Sequence, residues 1–459
     1  MLHVHRFATM GRSGRIRGAA AAAGAVSLAC TLAACSSSPS PAAAGASNPS
    51  TVTATYTGSA VVDLNFWSWT LNSQAVVDEF NKTHPNIHVN FTQITGGAAG
   101  YSKLFDAFKA GDGPDVFNCE YDMVPQFVSQ GLVQDLSQYV TPQLKSELGA
   151  SLGLTTMGGK TWAIPFDLEP TLLWYRADLF KKYGLAVPTT WAQFQSEAQT
   201  VKQKDPGASL GLVPTSDALW LGPLAEQAGA TWYSTSGDTW KVDLTDPASE
   251  KVATYWQSLV AGGLVAAGST NSPQIKADYA NGSVLTMIEP AYEGAYIKSG
   301  YPAESGDWAV APLPTWGSAA DGTEGGSSYP VSKSASNAAA AAEFAEWMST
   351  TSDGVATRLQ GGKSSNLPAD TQLSSVAAQA FAGSDAYFGG QDVLGVAASE
   401  AAVVPKTWVW GPEVTAMATA MGTPMGKVGS GGTIASALQA GQDSAVSLMK
   451  AAGLSVSAG

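Results

Sequence analysis

The sequence predicts an α/β protein of two lobes, each a mostly parallel sheet flanked by helices. Three observations carry that expectation. At 459 residues the chain exceeds what one ordinary hydrophobic core supports. Beyond residue 59, short alternating apolar runs exchange with stretches of helical spacing, the rhythm of strand–helix–strand units whose right-handed crossovers build parallel sheets. Residues 161–184 (TWAIPFDLEPTLLWYRADLFKKYG) then join two strand-like runs through a proline-punctuated link that holds Asp167 and Glu169. Such a stretch reads as backbone passing from one sheet to another.

Taken in order, the chain opens with a targeting segment. Arg6, Arg12, Arg15 and Arg17 precede an apolar run of small residues at 18–34, the charged and apolar parts of a secretory signal. The run ends Leu32-Ala33-Ala34-Cys35, which resembles the bacterial lipoprotein signal, so residues 1–34 are expected to leave and Cys35 to carry lipid. Two acyl chains on one residue would hold a protein stably at a bilayer. Residues 35–58 would then be the lipidated cysteine and a flexible tether of Ser, Pro, Ala, Thr and Gly, with almost nothing to bury. Cys30 leaves with the signal, so only Cys119 remains in the body and no intrachain disulfide can form. Cys119 itself reads as a small buried residue.

The first folded segment alternates clearly. Val62, Leu64 and Phe66 predict a strand at 60–66, and Val76, Val77 and Phe80 a helix at 73–83 that His84-Pro85 ends. Ile87, Val89 and Phe91 alternate again, and Tyr101, Leu104, Phe105 and Phe108 mark a second helix stopped by Gly111-Asp112-Gly113-Pro114. A third strand at 115–118 precedes a helix beginning near Met123. Farther on, Trp191 opens a helix after Pro188-Thr189-Thr190, and Asp246 caps another with Pro247 in its first turn. Residues 284–288 form a buried-type strand, the Gly/Ser-rich 317–328 a second crossing, and 336–349 an alanine-rich helix. The remainder reads as mostly helical.

In open α/β sheets ligands sit beyond the carboxyl ends of the strands. Trp67 and Trp69 follow the first strand, and Asn118, Glu120, Tyr121 and Asp122 follow the third. Aromatics and carboxylates on one rim suit carbohydrate: flat rings cover the C–H face of a sugar, and ionised acceptors take its hydroxyls. The chain holds 14 tryptophans, several of them in loop-like or strand-end contexts: Trp67, Trp69, Trp220, Trp232, Trp316, Trp408 and Trp410.

Other chemistries find less support. The net charge is −13, and −17 once the four arginines leave, which argues against nucleic acid as a partner. Two G-x-S-x-G runs, at 149–153 and 207–211, lie downstream of both mature histidines, His84 and His88, whereas the α/β-hydrolase order needs a histidine after the serine. Gly362-Lys363-Ser364 lacks the upstream glycine of a phosphate loop, whose place is taken by Thr357. No zinc signature occurs, and no cofactor or metal is expected. Asp167 with Glu169 leaves a secreted glycoside hydrolase as an alternative. The acidic rim leaves another, a binding protein for a non-sugar solute such as a peptide or polyamine.

The residues also carry a family resemblance. The lipoprotein signal, GDGPDVF, AIPFD…LLWYRADLFKKYGL with VPTTW, NGSVLTMIEPAY, WAVAPLPTWG followed by Gly325-Gly326, and AAAEFAEWMST together resemble the extracellular solute-binding proteins of carbohydrate ABC importers, which include maltodextrin-binding protein. The resemblance covers nearly everything after the tether. It implies a two-lobed periplasmic-binding-protein-like fold, with lobes at 59–166 plus 326–362 and 167–325 plus 363–459. Sugar would bind between the lobes, which would close about crossings near 166–170, 320–328 and 361–367. It implies no enzymatic activity, delivery of a mono- or oligosaccharide to membrane permease subunits, a monomer, and a place at the extracellular face of the bacterial cell membrane. Its ligand positions map onto Asp167, onto Asn118, Glu120 and Asp122, and onto Tyr292 with Glu289 before it, where the family usually has tryptophan. They map also onto Trp408 or Trp410, and onto Asp217 with Trp220. Gln391 is a further candidate in the segment 388–392.

Overall fold

The computed structural model describes residues 56–237, 239–270, 272–360, 363–405 and 407–459. The expected signal peptide, Cys35 and most of the tether lie outside them.

The first sheet is parallel, with strand Val62–Ser68 between Ile87–Gln93 and Val116–Phe117. Leu64, Phe66 and Ser68 turn one face inward, fully buried, so the alternation seen in the sequence is the alternation of the sheet. Helix Ser73–Thr83 covers that sheet with Val76, Val77 and Phe80, and helix Gly97–Ala110 with Tyr101 and Leu104. Gly111, at φ 82°, ends the second helix in the left-handed conformation that only glycine adopts freely. Cys119 is fully buried and free.

The expectation of mostly parallel sheets fails in the second half. Strand Thr171–Arg176 runs antiparallel to both of its neighbours, Thr286–Pro290 and Trp308–Pro312. Strand Ser327–Pro330 is antiparallel to Cys119–Glu120 and to Ala163–Pro165. The cause is the crossings. Strands that enter a sheet from elsewhere in the molecule are not bound by the right-handed βαβ connection that makes neighbours parallel. A parallel pair persists where a helix does intervene, between Leu212–Pro214 and Ala266–Gly268. The carboxyl end, expected to be helical, closes instead with strand Ser455–Ala458 beside the hairpin Tyr233–Ser236 and Thr239–Val242.

Three extended segments lie side by side. Leu168 N–H donates to Leu367 O at 2.9 Å, Thr171 N–H to Gly322 O at 3.0 Å, and Glu324 N–H to Glu169 O at 3.1 Å. They are the same stretches that the sequence marks as crossings. Asp246, read from the sequence as a cap, accepts from Ser249 N–H at 2.7 Å with Pro247 in the first turn, and Thr190 and Gln193 form a reciprocal capping box at the start of helix Trp191–Lys204.

Candidate functional site

The ends of these elements converge on a cleft. One chamber of about 320 Å³ is lined by Trp69, Glu120, Phe166, Asp167, Tyr292, Tyr296, the Gly325-Gly326 turn and Asn366. A second, of about 150 Å³, is lined by Glu120, Asp122, Asp217, Tyr292, Glu324 and Trp410. The two share Glu120, Tyr292 and Gly325, so they are parts of one hollow. A third, of about 450 Å³, joins it through Asp217 and Tyr296 and carries Glu289 and Glu293.

Each wall has a local cause. Trp69 lies just past the first strand, and its ring meets Tyr101 edge-on at 5.4 Å. Tyr101 in turn donates its hydroxyl to Glu120 Oε2 at 3.0 Å, which fixes that carboxylate at the rim. Burial raises the Glu120 carboxyl and the tyrosine hydroxyl bond draws it back. Tyr292 follows strand Thr286–Pro290 and precedes helix Glu293–Gly300, one turn of which places Tyr296 with its ring centroid 6.3 Å away. Gly326 has φ 76°, and a Cβ there would stand 2.7 Å from the Tyr121 ring and 3.4 Å from Asp167 Oδ1. The turn therefore requires glycine on both conformational and steric grounds.

Asp167 and Glu169 form a buried knot behind the first chamber. Asp167 accepts from Ser327 N–H, and Asn366 Nδ2 donates to Asp167 Oδ2 at 2.7 Å and to Glu169 Oε1 at 2.8 Å. Tyr292 N–H donates to Glu169 Oε2 at 3.1 Å, and the Tyr121 hydroxyl to the Asp167 carbonyl. Burial pushes Asp167 up to about 7, against the pull of its hydrogen bonds and of Arg358. Burial and the adjoining Asp167 charge hold Glu169 well above the usual carboxylate range. All three crossing segments are tied into this one knot.

Of the residues expected at the site, Trp69, Glu120, Asp122, Asp167, Asp217, Glu289, Tyr292 and Trp410 line the cleft chambers. The others sit elsewhere. Trp67 packs beside helix Gly97–Ala110 with Lys103 Nζ 4.9 Å from its ring centroid. Asn118 is fully buried and accepts from Ser68 Oγ at 3.1 Å and Thr70 Oγ1 at 2.5 Å, bracing the loop that carries Trp69. Trp220 is core, donating to Ile288 O at 3.1 Å and meeting the Trp256 ring at 4.9 Å. Trp408 stands behind Trp410, 5.4 Å away, against Trp232. Gln391 clamps a sheet edge, accepting from Val310 N–H at 2.8 Å and donating to Val310 O at 2.6 Å. Sequence reasoning passed over Glu293, Tyr296, Glu324 and Asn366. Tyr296 had a signal, its spacing of four from Tyr292, whereas Glu324 and Asn366 lie in crossing segments that have no period.

A two-lobed α/β protein with an acidic, aromatic-walled cleft beside its crossings belongs to the general class of ligand-binding proteins. The chain is a member of the bacterial extracellular solute-binding protein family, whose model matches residues 68–355. It is 24% identical over 305 residues to the arabinooligosaccharide-binding protein of Bacillus subtilis, covering 62% of this chain and 69% of that one. To the lactose-binding protein of Rhizobium radiobacter it is 25% identical over 198 residues, 42% of this chain and 46% of the relative. Among solved structures it resembles the galacto-N-biose-/lacto-N-biose I-binding protein of the ABC transporter from Bifidobacterium longum, in complex with lacto-N-biose. The TM-score there is 0.77 at 26% identity, covering 87% of this chain and all of that one. A B. animalis ABC-transporter-associated binding protein holding β-1,6-galactobiose shares the fold, with a TM-score of 0.71 at 24% identity and 86% and 99% of the two chains covered.

Proposed function

We propose that this protein captures a mono- or oligosaccharide in the cleft and hands it to the permease subunits of an ABC importer. The observation that carries the reading is the chemistry of the hollow. Trp69, Tyr292 and Trp410 bring aromatic rings to its walls, and Glu120, Asp122 and Asp217 bring acceptors. The relatives named for sugars support it. The lobes are 59–166 plus 326–362 and 167–325 plus 363–459, and closure turns about the crossings. Sugar favours the closed form only by the difference between its affinities for the two forms. Cys35 carries the lipid that keeps the monomeric body at the outer face of the membrane.

The reading is of a binder rather than a glycosidase. The carboxylate pair of the hydrolase alternative, Asp167 and Glu169, already accepts from Ser327, Asn366 and Tyr292, and Glu169 is fully buried. Titration calorimetry against a panel of mono- and oligosaccharides tests capture. Saturable binding with one site, a smaller radius of gyration by scattering and no new reducing ends is the expected result. Tight binding with an unchanged radius would remove the closure; release of reducing ends would remove the binder.

A further inference from the structure

The chamber between Asp122 and Glu324 has a chemistry that neutral sugar does not complete. Glu324 is 9% exposed, and its Oε2 takes no hydrogen bond among the described residues; the same holds for Asp122 Oδ1. Both residues line the chamber of about 150 Å³, together with Glu120 and Asp217. Glu289 and Glu293 stand in the adjoining space. Among the described residues none of these six carboxylates makes an ion pair. Lys276 and Lys363 line the two larger chambers, and no lysine lines this one among the described residues.

An ionised carboxylate only accepts hydrogen bonds, and acceptor oxygens such as Glu324 Oε2 and Asp122 Oδ1, shielded from solvent and without a donor, are costly to ionise unless positive charge is supplied. A hydroxyl supplies a donor and no charge. An ammonium group supplies three donors and the charge, and the aromatic rings of Tyr292 and Trp410 in the same chamber suit a cation as well as a sugar ring. We propose that the ligand carries a protonated amine, an amino sugar whose ammonium group lodges between Asp122 and Glu324. The inference rests on the saccharide reading for the ring and on the orphaned acceptors for the charge.

The test is titration calorimetry at pH 7 with matched triplets of mono- and disaccharides that differ at one carbon only, bearing a free amine, an N-acetyl group or a hydroxyl, with spermidine as a ring-free amine. The free amine should bind at least about tenfold tighter than both of its twins, a preference of about 1.4 kcal/mol. Glu324→Gln and Asp122→Asn, each checked for an intact melting transition, should bring the triplet together to within about threefold. Equal affinity of amine and neutral twins overturns the amine and leaves the saccharide. Spermidine binding with no glycan bound overturns the saccharide and keeps the amine. No amine binding at all, whatever the neutral glycans do, overturns the inference.

Discussion

Asn366 shows how much one neutral side chain can carry. Its single amide group serves both buried carboxylates of the knot, at 2.7 and 2.8 Å. Asn366→Ala removes the shared donor and leaves two acids facing each other, so a loss of about 3 kcal/mol is expected at pH 8. The loss should shrink at pH 5, where Asp167, pushed up to about 7, is protonated in the native state. Chemical denaturation at both pH values measures it, and an equal loss at both would mean that the carboxylate charges are not what Asn366 offsets. Gly326→Ala belongs to the same scale. With φ 76° and Tyr121 2.7 Å from the new Cβ, a cost of about 2 kcal/mol or more is expected. A melting temperature within a degree of the parent would show that the turn relaxes. At this scale the sequence was informative where residues follow strands: Trp69, Glu120 and Asp122 lie at the strand-tip positions the topology singles out, and Tyr292 lies where the family resemblance puts an aromatic. It was silent on Asn366, whose partners lie far away in the chain, and on Glu324, which sits in a crossing segment without a period.

Elements were legible to the extent that their contacts are local. Helix Ser73–Thr83 and the parallel trio around strand Val62–Ser68 follow from periodicity, because each residue's burial repeats with the turn or the pleat. The antiparallel setting of Thr171–Arg176 does not, since strand direction depends on which segment arrives alongside. Gln391 illustrates the same limit. A glutamine in a glycine-rich loop suggested a ligand contact, whereas both ends of its amide are taken by Val310 of strand Trp308–Pro312. Gln391→Ala should therefore cost about 1–2 kcal/mol in stability and leave glycan affinity within about twofold. Urea denaturation and calorimetry on the same preparation check it; a tenfold loss of affinity with unchanged stability would return Gln391 to the cleft.

For the molecule as a whole, the balance of buried charge sets how stability depends on pH. Among the described residues ten acids are buried against two arginines. Burial holds Asp167 and Glu293 up at about 7, Asp370 at about 6 and Glu226 at about 8. A carboxyl whose native pKa lies above its unfolded value keeps a proton that the unfolded chain has released. The stability these groups contribute is therefore fully present below about 4 and falls as pH rises through their native values. His84, lowered by burial, and Asp135 and Asp205, lowered by hydrogen bonds from Ser137 and Tyr183, work in the opposite sense, but they are few against many. The melting temperature of the unliganded protein should thus drop by several degrees between pH 5 and pH 8, and a flat or rising profile would contradict the assigned burial. The slope also separates ligands. A protonated amine between Asp122 and Glu324 favours their ionised forms, so a saturating amino sugar should stabilise the protein more at pH 8 than at pH 5 and flatten the profile. A neutral sugar brings no charge and should leave the slope as it stands, raising the whole curve by its binding energy alone.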